Sequence, residues 1–303
     1  MLTEIRKPLI SNIRETLFSD KGLQLHLLRL DELHPEINGN KWYKLKYNLE
    51  AFHRSGKKIL VSCGGAWSNH IAAMAAAGHA SGIPTGAMIR GEEHIPLNPT
   101  LALASARGML LYYADRALYR DKALLEQKAR EVFGPDIFWI PEGGSNAWGV
   151  MGCTEILAHV KEEADIICCA AGTGATAAGI ASSGMGRNKM MVFPALKGAS
   201  FLVDEIARFA GPEIASEISL VNDYHFGGYG KTTPDLIRFV DDFRLKQGIS
   251  LDYIYTGKMM FGLYDMASRG CFEPGTRILA VHTGGIQGNL GITINRDMLE
   301  IDS

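Results

Sequence analysis

Lys41 lies in "INGNKWYKLKYNLEAF", residues 37 to 52, directly after a Gly-Asn pair. Trp42, Leu45, Leu49 and Phe52 recur at helical spacing, so this stretch reads as a helix with one apolar face turned inward. Asn38 or Asn40 can serve as its N-cap. A cation in the first turn then faces the positive end of the helix dipole, which disfavours its charged form. Surface helices usually place acids there. An amine held this way and partly desolvated has a lowered pKa and can act as a nucleophile.

A second chemical feature is "AAGTGATAAG", residues 170 to 179, which follows an apolar strand and opens a helix. The backbone N–H groups of Thr173, Gly174, Ala175 and Thr176 converge there, with the hydroxyls of Thr173 and Thr176 beside them. That arrangement is an anion cup, and phosphate is its usual guest. A nucleotide-hydrolysing loop needs Gly-Lys-Ser/Thr at its end, whereas Ala175-Thr176 follows here. The dinucleotide fingerprint fails as well: Gly172, Gly174 and Gly179 miss its last spacing, and no acid ends the next strand, "MVFPALKG". A small monophosphate fits better; the alternative is a glycine turn that only lets helix and sheet pack. An amine nucleophile and a monophosphate cup together point to pyridoxal 5′-phosphate, an aldehyde with one phosphate that serves as an electron sink.

The elements that must position these groups follow a βα rhythm. "KKILVSCGG" reads as strand then turn, followed by the helix "SNHIAAMAAAGHA". "IPTGAMIRG" is a second strand, "LASARGMLLYYAD" a helix running into a third, and "DIFWIPEGG" a fourth. After a helix around "GVMGCTEILAHVKEE" come the strand, loop and helix of "ADIICCAAGTGATAAGIA", then the strands "KMMVFPAL" and "TRILAVHTGG". The pattern predicts open, largely parallel sheets with helices on their faces. Two sheets are expected rather than one, with the glycine pair of "PEGGSNAWG" as a hinge. We expect a large cofactor-binding domain of residues 1–46 and 144–303 and a small α/β domain of 47–143. In "HFGGYGKTTPDLIRF" a loop should lead into a helix.

The bulk numbers restrict the function classes. The chain has 303 residues, 47% apolar and 21% charged, with net charge −2, as in an ordinary soluble globular protein. No basic block suits a nucleic-acid backbone, no apolar run approaches a membrane span, and the N-terminus lacks a secretory pattern. Cys63, Cys153, Cys168, Cys169 and Cys271 show no CxxC spacing, so they read as buried free thiols of a cytoplasmic protein, with no metal site. Cys63, in a glycine-rich stretch, could alternatively be a catalytic thiol.

The motifs "GNKWYKL", "SCGGAWSNH", "PEGGSN", "GTGAT", "GYG", "YTGKMMFGL" and "HTGG" occur in one order along most of the chain. In that order they resemble the 1-aminocyclopropane-1-carboxylate deaminase and D-cysteine desulfhydrase family. The resemblance implies the tryptophan synthase β-subunit-like fold (fold type II), an α/β fold of two open twisted sheets, with pyridoxal 5′-phosphate as cofactor. It implies that Lys41 holds the cofactor covalently and moves the α-proton, and that Lys44 lies near the phosphate. Ser68, Asn69 and His70 match the turn that holds the substrate carboxylate and the cofactor's ring hydroxyl at a helix N-terminus. Tyr229 and Tyr255 match the family's two active-site tyrosines.

Two positions divide that family. Ring-opening deaminases carry glutamate after the second tyrosine and leucine in the C-terminal His-Leu-Gly-Gly, whereas desulfhydrases typically carry threonine at both. Here the residues are Thr256, expected at the substrate, and Thr283, expected at the pyridine nitrogen. A hydroxyl cannot hold that nitrogen protonated as a carboxylate would, so the ring is a milder sink suited to α-proton loss and β-elimination. The resemblance implies D-cysteine to pyruvate, ammonia and sulfide as the activity; the residues alone do not fix the chirality. Alternatives are the cyclopropane acid, a D-serine-type or other β-substituted amino acid, or a cofactor-binding homologue without catalysis. The only partner expected besides this small substrate is a second copy, since family members are often homodimers. Tyr43 replaces the family's usual arginine, and Gln287 and Asn289 replace small or apolar residues of the last loop.

Overall fold

The computed structural model describes residues 5–183 and 188–291. Its ten described strands are β1 (Leu9–Ile13), β2 (Gln24–Arg29), β3 (Ile59–Gly65), β4 (Thr85–Arg90), β5 (Leu110–Ala114), β6 (Ile137–Ile140), β7 (Ile166–Ala171), β8 (Lys189–Pro194), β9 (Ile218–Leu220) and β10 (Arg277–His282). They form a six-stranded sheet in the order β1-β2-β10-β7-β8-β9 and a four-stranded sheet in the order β5-β4-β3-β6. Every pairing is parallel except β1 with β2. The two-sheet α/β architecture expected from the sequence is present.

The central strands β7 and β10, "IICCAA" and "RILAVH", are buried along nearly their whole length. Helices cover both faces of such strands, so their sequences run continuously apolar instead of alternating. One large apolar cluster joins the two units. It draws Leu45 and Leu49 from the helix Asn40–Ser55, Met74 from the helix Asn69–Ser81, and Cys169 and Val281 from the central strands. The domain boundary expected at 46/47 falls inside the helix Asn40–Ser55, and the one at 143/144 falls inside the tight turn Glu142–Gly144.

Two local expectations change. The helix expected across 149–163 ends at Cys153. Beyond it the chain winds in tighter turns, with bonds from the Glu155 N–H to Gly152 O, Ile156 to Cys153 O and Ala158 to Glu155 O. Neither Asn38 nor Asn40 caps the lysine helix: Gly39 does, at φ 69°, with no side-chain bond. The reason is steric. A Cβ on Gly39 would lie 2.0 Å from the carbonyl oxygen of Thr283, so only glycine lets the helix start this close to the end of β10.

Candidate active site

A cavity of about 550 Å³ opens where the carboxyl ends of β3, β6, β7 and β10 meet, the crevice in which open α/β sheets bind ligands. Lys41, Lys44, Ser68, Asn69, His70, Thr173, Gly174, Thr176, Tyr229, Tyr255 and Thr283 all line it. Residues from both sheets and from more than 240 positions of chain are brought together here.

The lysine helix supplies two amines on one face. The Lys41 ammonium donates to Asn40 Oδ1 at 2.8 Å. Asn40 Nδ2 in turn donates to Thr176 Oγ1 at 2.7 Å, joining the lysine to the glycine cup across the cavity. Burial pushes Lys41 down to about 7, and the neighbouring Lys44 cation pushes in the same direction. Lys44 is also lowered by burial. The only hydrogen bond of its ammonium among the described residues goes to the backbone oxygen of Gly143, at 3.0 Å. Two buried amines thus stand together with no carboxylate hydrogen-bonded to either among the described residues.

The cup itself is the turn between β7 and the helix Ala175–Ala181, with Gly174 in the left-handed region at φ 78° as its N-cap. Thr173, Gly174 and Thr176 face the cavity. Ala175 is fully buried beneath it and can offer only backbone.

Also at the cavity, Ser68 caps the helix Asn69–Ser81, its Oγ accepting from the Ile71 N–H at 3.3 Å. Asn69 Oδ1 accepts from Gln287 Nε2 at 2.8 Å, so the unusual Gln287 fixes the orientation of Asn69. Asn289 braces the segment before Tyr255: its Nδ2 donates to Leu251 O, and its Oδ1 accepts from the Tyr253 N–H. His70 shares a 2.9 Å hydrogen bond with Ser62 through Nε2, and its Nδ1 has no hydrogen-bond partner among the described residues. Burial, then Lys41 and Lys44, hold the imidazole neutral by pushing it down to about 3.

Tyr229 and Tyr255 meet edge to face with ring centroids 6.1 Å apart. Tyr255 precedes the helix Thr256–Ser268, and burial raises its phenol well above the usual range. The start of that helix hangs on Asp252, which sequence reasoning passed over. Its buried carboxylate accepts from the Ile254, Tyr255 and Thr256 N–H groups at 3.0, 2.7 and 2.8 Å. An acid shortly before a helix is the available sequence signal. No sequence signal marks the bond of Asn40 to Thr176, because the two lie 136 residues apart.

Two residues stand apart from the expected wall. Thr256, next to Tyr255 in the chain, is fully buried, is absent from the cavity lining, and has an Oγ1 without a partner among the described residues. Tyr43 is buried edge-on against Trp42 in the core. Cys63 does line the cavity, but burial pushes its thiol up to about 12, so it is no nucleophile near neutrality. Cys271 is exposed, unlike the other four cysteines.

A low-pKa amine, an unpaired second cation and a backbone cup fit a phosphorylated aldehyde. The sequence model of pyridoxal-phosphate dependent enzymes matches residues 13–284. The chain belongs to that family. Within it, the chain falls in the 1-aminocyclopropane-1-carboxylate deaminase and D-cysteine desulfhydrase family. A protein of Pyrococcus furiosus, provisionally named a 1-aminocyclopropane-1-carboxylate deaminase, is 30% identical over 291 residues, covering 88% of this chain and 86% of its own. The D-cysteine desulfhydrase of Klebsiella pneumoniae is 28% identical over 291 residues, covering 87% of each. Among solved structures, a 1-aminocyclopropane-1-carboxylate deaminase homologue superposes with a TM-score of 0.82 at 24% identity, over 96% of this chain and 93% of that one. A hydrogen sulfide-producing enzyme from Fusobacterium nucleatum gives 0.68 at 15% identity, over 91% and 93%. The solved neighbours establish the fold type II architecture. Pyridoxal phosphate is the family's cofactor. No described helix is long and apolar enough to cross a membrane.

Proposed function

We propose that this protein is a β-eliminating lyase that converts D-cysteine to pyruvate, ammonia and sulfide. The observation that carries the reading is Lys41: an amine pushed down to about 7 that shares one cavity with a monophosphate cup and a tyrosine pair. A neutral fraction near neutrality lets it hold an aldehyde and, once displaced by the substrate amine, accept the α-proton. Pyridoxal phosphate, when bound, supplies the electron sink that makes this proton acidic.

We assign the phosphate to the Thr173–Thr176 cup and Lys44, and the cofactor's ring hydroxyl to Asn69. The substrate carboxylate goes to Ser68, Asn69 and His70 at the N-terminus of their helix, where N–H groups and the dipole favour an anion. Tyr229 and Tyr255 stay protonated and give a proton to the departing sulfur. Thr283, assigned to the ring nitrogen, leaves the cofactor a milder sink than a carboxylate would. Thr256 acts through the packing of its neighbour Tyr255 instead of by contact with the substrate. Residues 47–143 close on the rest of the chain and exclude water.

The test is keto-acid release from D-cysteine, L-cysteine and 1-aminocyclopropane-1-carboxylate in parallel, with Lys41→Ala alongside. Pyruvate from D-cysteine alone, lost in the variant, is expected. 2-Oxobutyrate from the cyclopropane acid would replace this reading with the ring-opening one. A yellow protein inert towards all three would keep the cofactor and remove the substrate assignment.

A further inference from the structure

The lysine of "YTGKMM", Lys258, has no part in the chemistry above, yet it is one of the largest fully buried side chains of the protein. It sits in the first turn of the helix Thr256–Ser268, three residues after Tyr255. Its ammonium reaches out of that helix to the preceding loop. It donates to the carbonyl oxygens of His225 at 2.9 Å and Gly228 at 2.8 Å. Tyr229 is the next residue.

That loop is poorly able to hold its own shape. Phe226 is the only non-glycine residue with positive φ among the described ones, at 51°, and Gly227, Gly228 and Gly230 follow at 88°, 118° and 68°. Such conformations persist when the surroundings over-determine them. The loop's own bonds are few: Gly227 N–H to His225 Nδ1 at 2.9 Å, Gly228 N–H to His225 O at 3.0 Å and Lys231 N–H to Gly228 O at 3.2 Å. Tyr229 itself is 42% exposed, so packing alone gives it little support.

We propose that Lys258 is the positioning residue for Tyr229: by donating to the carbonyls of His225 and Gly228 it locks the glycine loop 225–230 and sets the Tyr229 ring against Tyr255. Asp252 and Lys258 then divide the work at one helix start. The carboxylate fixes the Tyr255 backbone, and the ammonium fixes the Tyr229 loop. Burial lowers Lys258 to about 8, with Asp252 opposing the shift. Even a neutral amine keeps N–H groups for both carbonyls, so the lock does not depend on charge alone. The inference rests on the reading of Tyr229 as a catalytic residue.

The test uses the holoenzyme carrying Lys258→Met, in the wild-type and Tyr229→Phe backgrounds. Hydrogen exchange of the Gly227, Gly228 and Lys231 amides is followed together with keto-acid release from the best substrate. The lock predicts exchange at least tenfold faster in Lys258→Met. It also predicts that kcat falls at least tenfold with KM within threefold in the wild-type background, but no more than threefold in Tyr229→Phe. Unchanged exchange overturns the lock, and an equal kcat loss in both backgrounds overturns its action through Tyr229. If Tyr229→Phe alone leaves kcat intact, the catalytic reading of Tyr229 fails, and the exchange arm still judges the lock. Lys258→Gln, which keeps an N–H donor on a shorter arm, substitutes if Lys258→Met does not fold, and its exchange should lie between the other two.

Discussion

Two helix starts stand at the cavity, and their leading N–H groups are satisfied in different ways. The entry to the helix Thr256–Ser268 is braced by one carboxylate: Asp252 accepts from the N–H groups of Ile254 and Tyr255 before the helix and of Thr256 at its first position, and the Gly257 N–H reaches the Asp252 carbonyl. The helix Asn40–Ser55 is capped by Gly39 without a side-chain bond, its Asn40 N–H reaches the Thr283 carbonyl, and its first turn carries Lys41 as the other carries Lys258. The capped start fixes a side chain by satisfying the backbone. The bare start seats Lys41 where burial and the neighbouring Lys44 depress its amine. Local rules are obeyed where geometry must be held and broken where reactivity is needed.

Substitutions can break this contrast at either end. Lys41→Ala removes the reactive group of the bare start and is expected to lower keto-acid release by roughly 10³-fold, a magnitude in line with loss of an acid–base group. Its thermal stability should hold or rise, because a depressed amine is a cost of folding at neutral pH. Gly39→Ala forces a Cβ towards the Thr283 carbonyl at a left-handed φ. The loss should be roughly 3 kcal/mol in denaturant unfolding, combining backbone strain with overpacking. A neutral outcome would mean that the lysine helix does not need its close approach to β10.

His70 sharpens the electrostatic side. Its folded pKa, about 3, lies below the ordinary 6.5. Between those values the unfolded chain binds the extra proton, so this site makes the folded state lose stability as pH falls from 6.5 towards 3. In the apoprotein that loss should be about 2 kcal/mol between pH 8 and pH 5, and His70→Gln should remove it. Parallel curves for the two proteins would contradict the burial of a neutral imidazole beside two cations. The smallest effect is expected at the capped start. Asp252→Asn keeps an accepting oxygen but loses one acceptor, at about 1 kcal/mol of stability, and the Tyr255 amide should exchange faster.

Periodicity and turn chemistry made much of this molecule legible before any coordinates. The alternation of apolar runs with helical stretches corresponds to β3 through β8 and β10, and the cup after β7 could be read from "GTGAT" by its backbone donors alone. What escaped was long-range. The hairpin of β1 and β2 is defined by its pairing with β10, more than 240 residues away. The Asn40–Thr176 bond and the Gly39–Thr283 contact also join distant segments. Asn38 or Asn40 as the cap was a sound local reading that lost to this approach of β10. The helix after Gly149 was over-extended because the composition of 154–163 is compatible with either helix or successive turns. The motif puts Thr256 at the substrate, and only the packing shows that it is fully buried and off the cavity lining.

The central claim is that Lys41, and not Lys44, is the reactive amine of the bare helix start. Borohydride reduction of the protein loaded with pyridoxal phosphate, followed by peptide mass mapping, tests it directly. The pyridoxyl mass should fall on Lys41, and the initial rate at which the apoprotein captures added cofactor across a pH series should rise with a midpoint near 7 instead of 10.5. Label on Lys44, or a midpoint at the ordinary lysine value, would contradict the account.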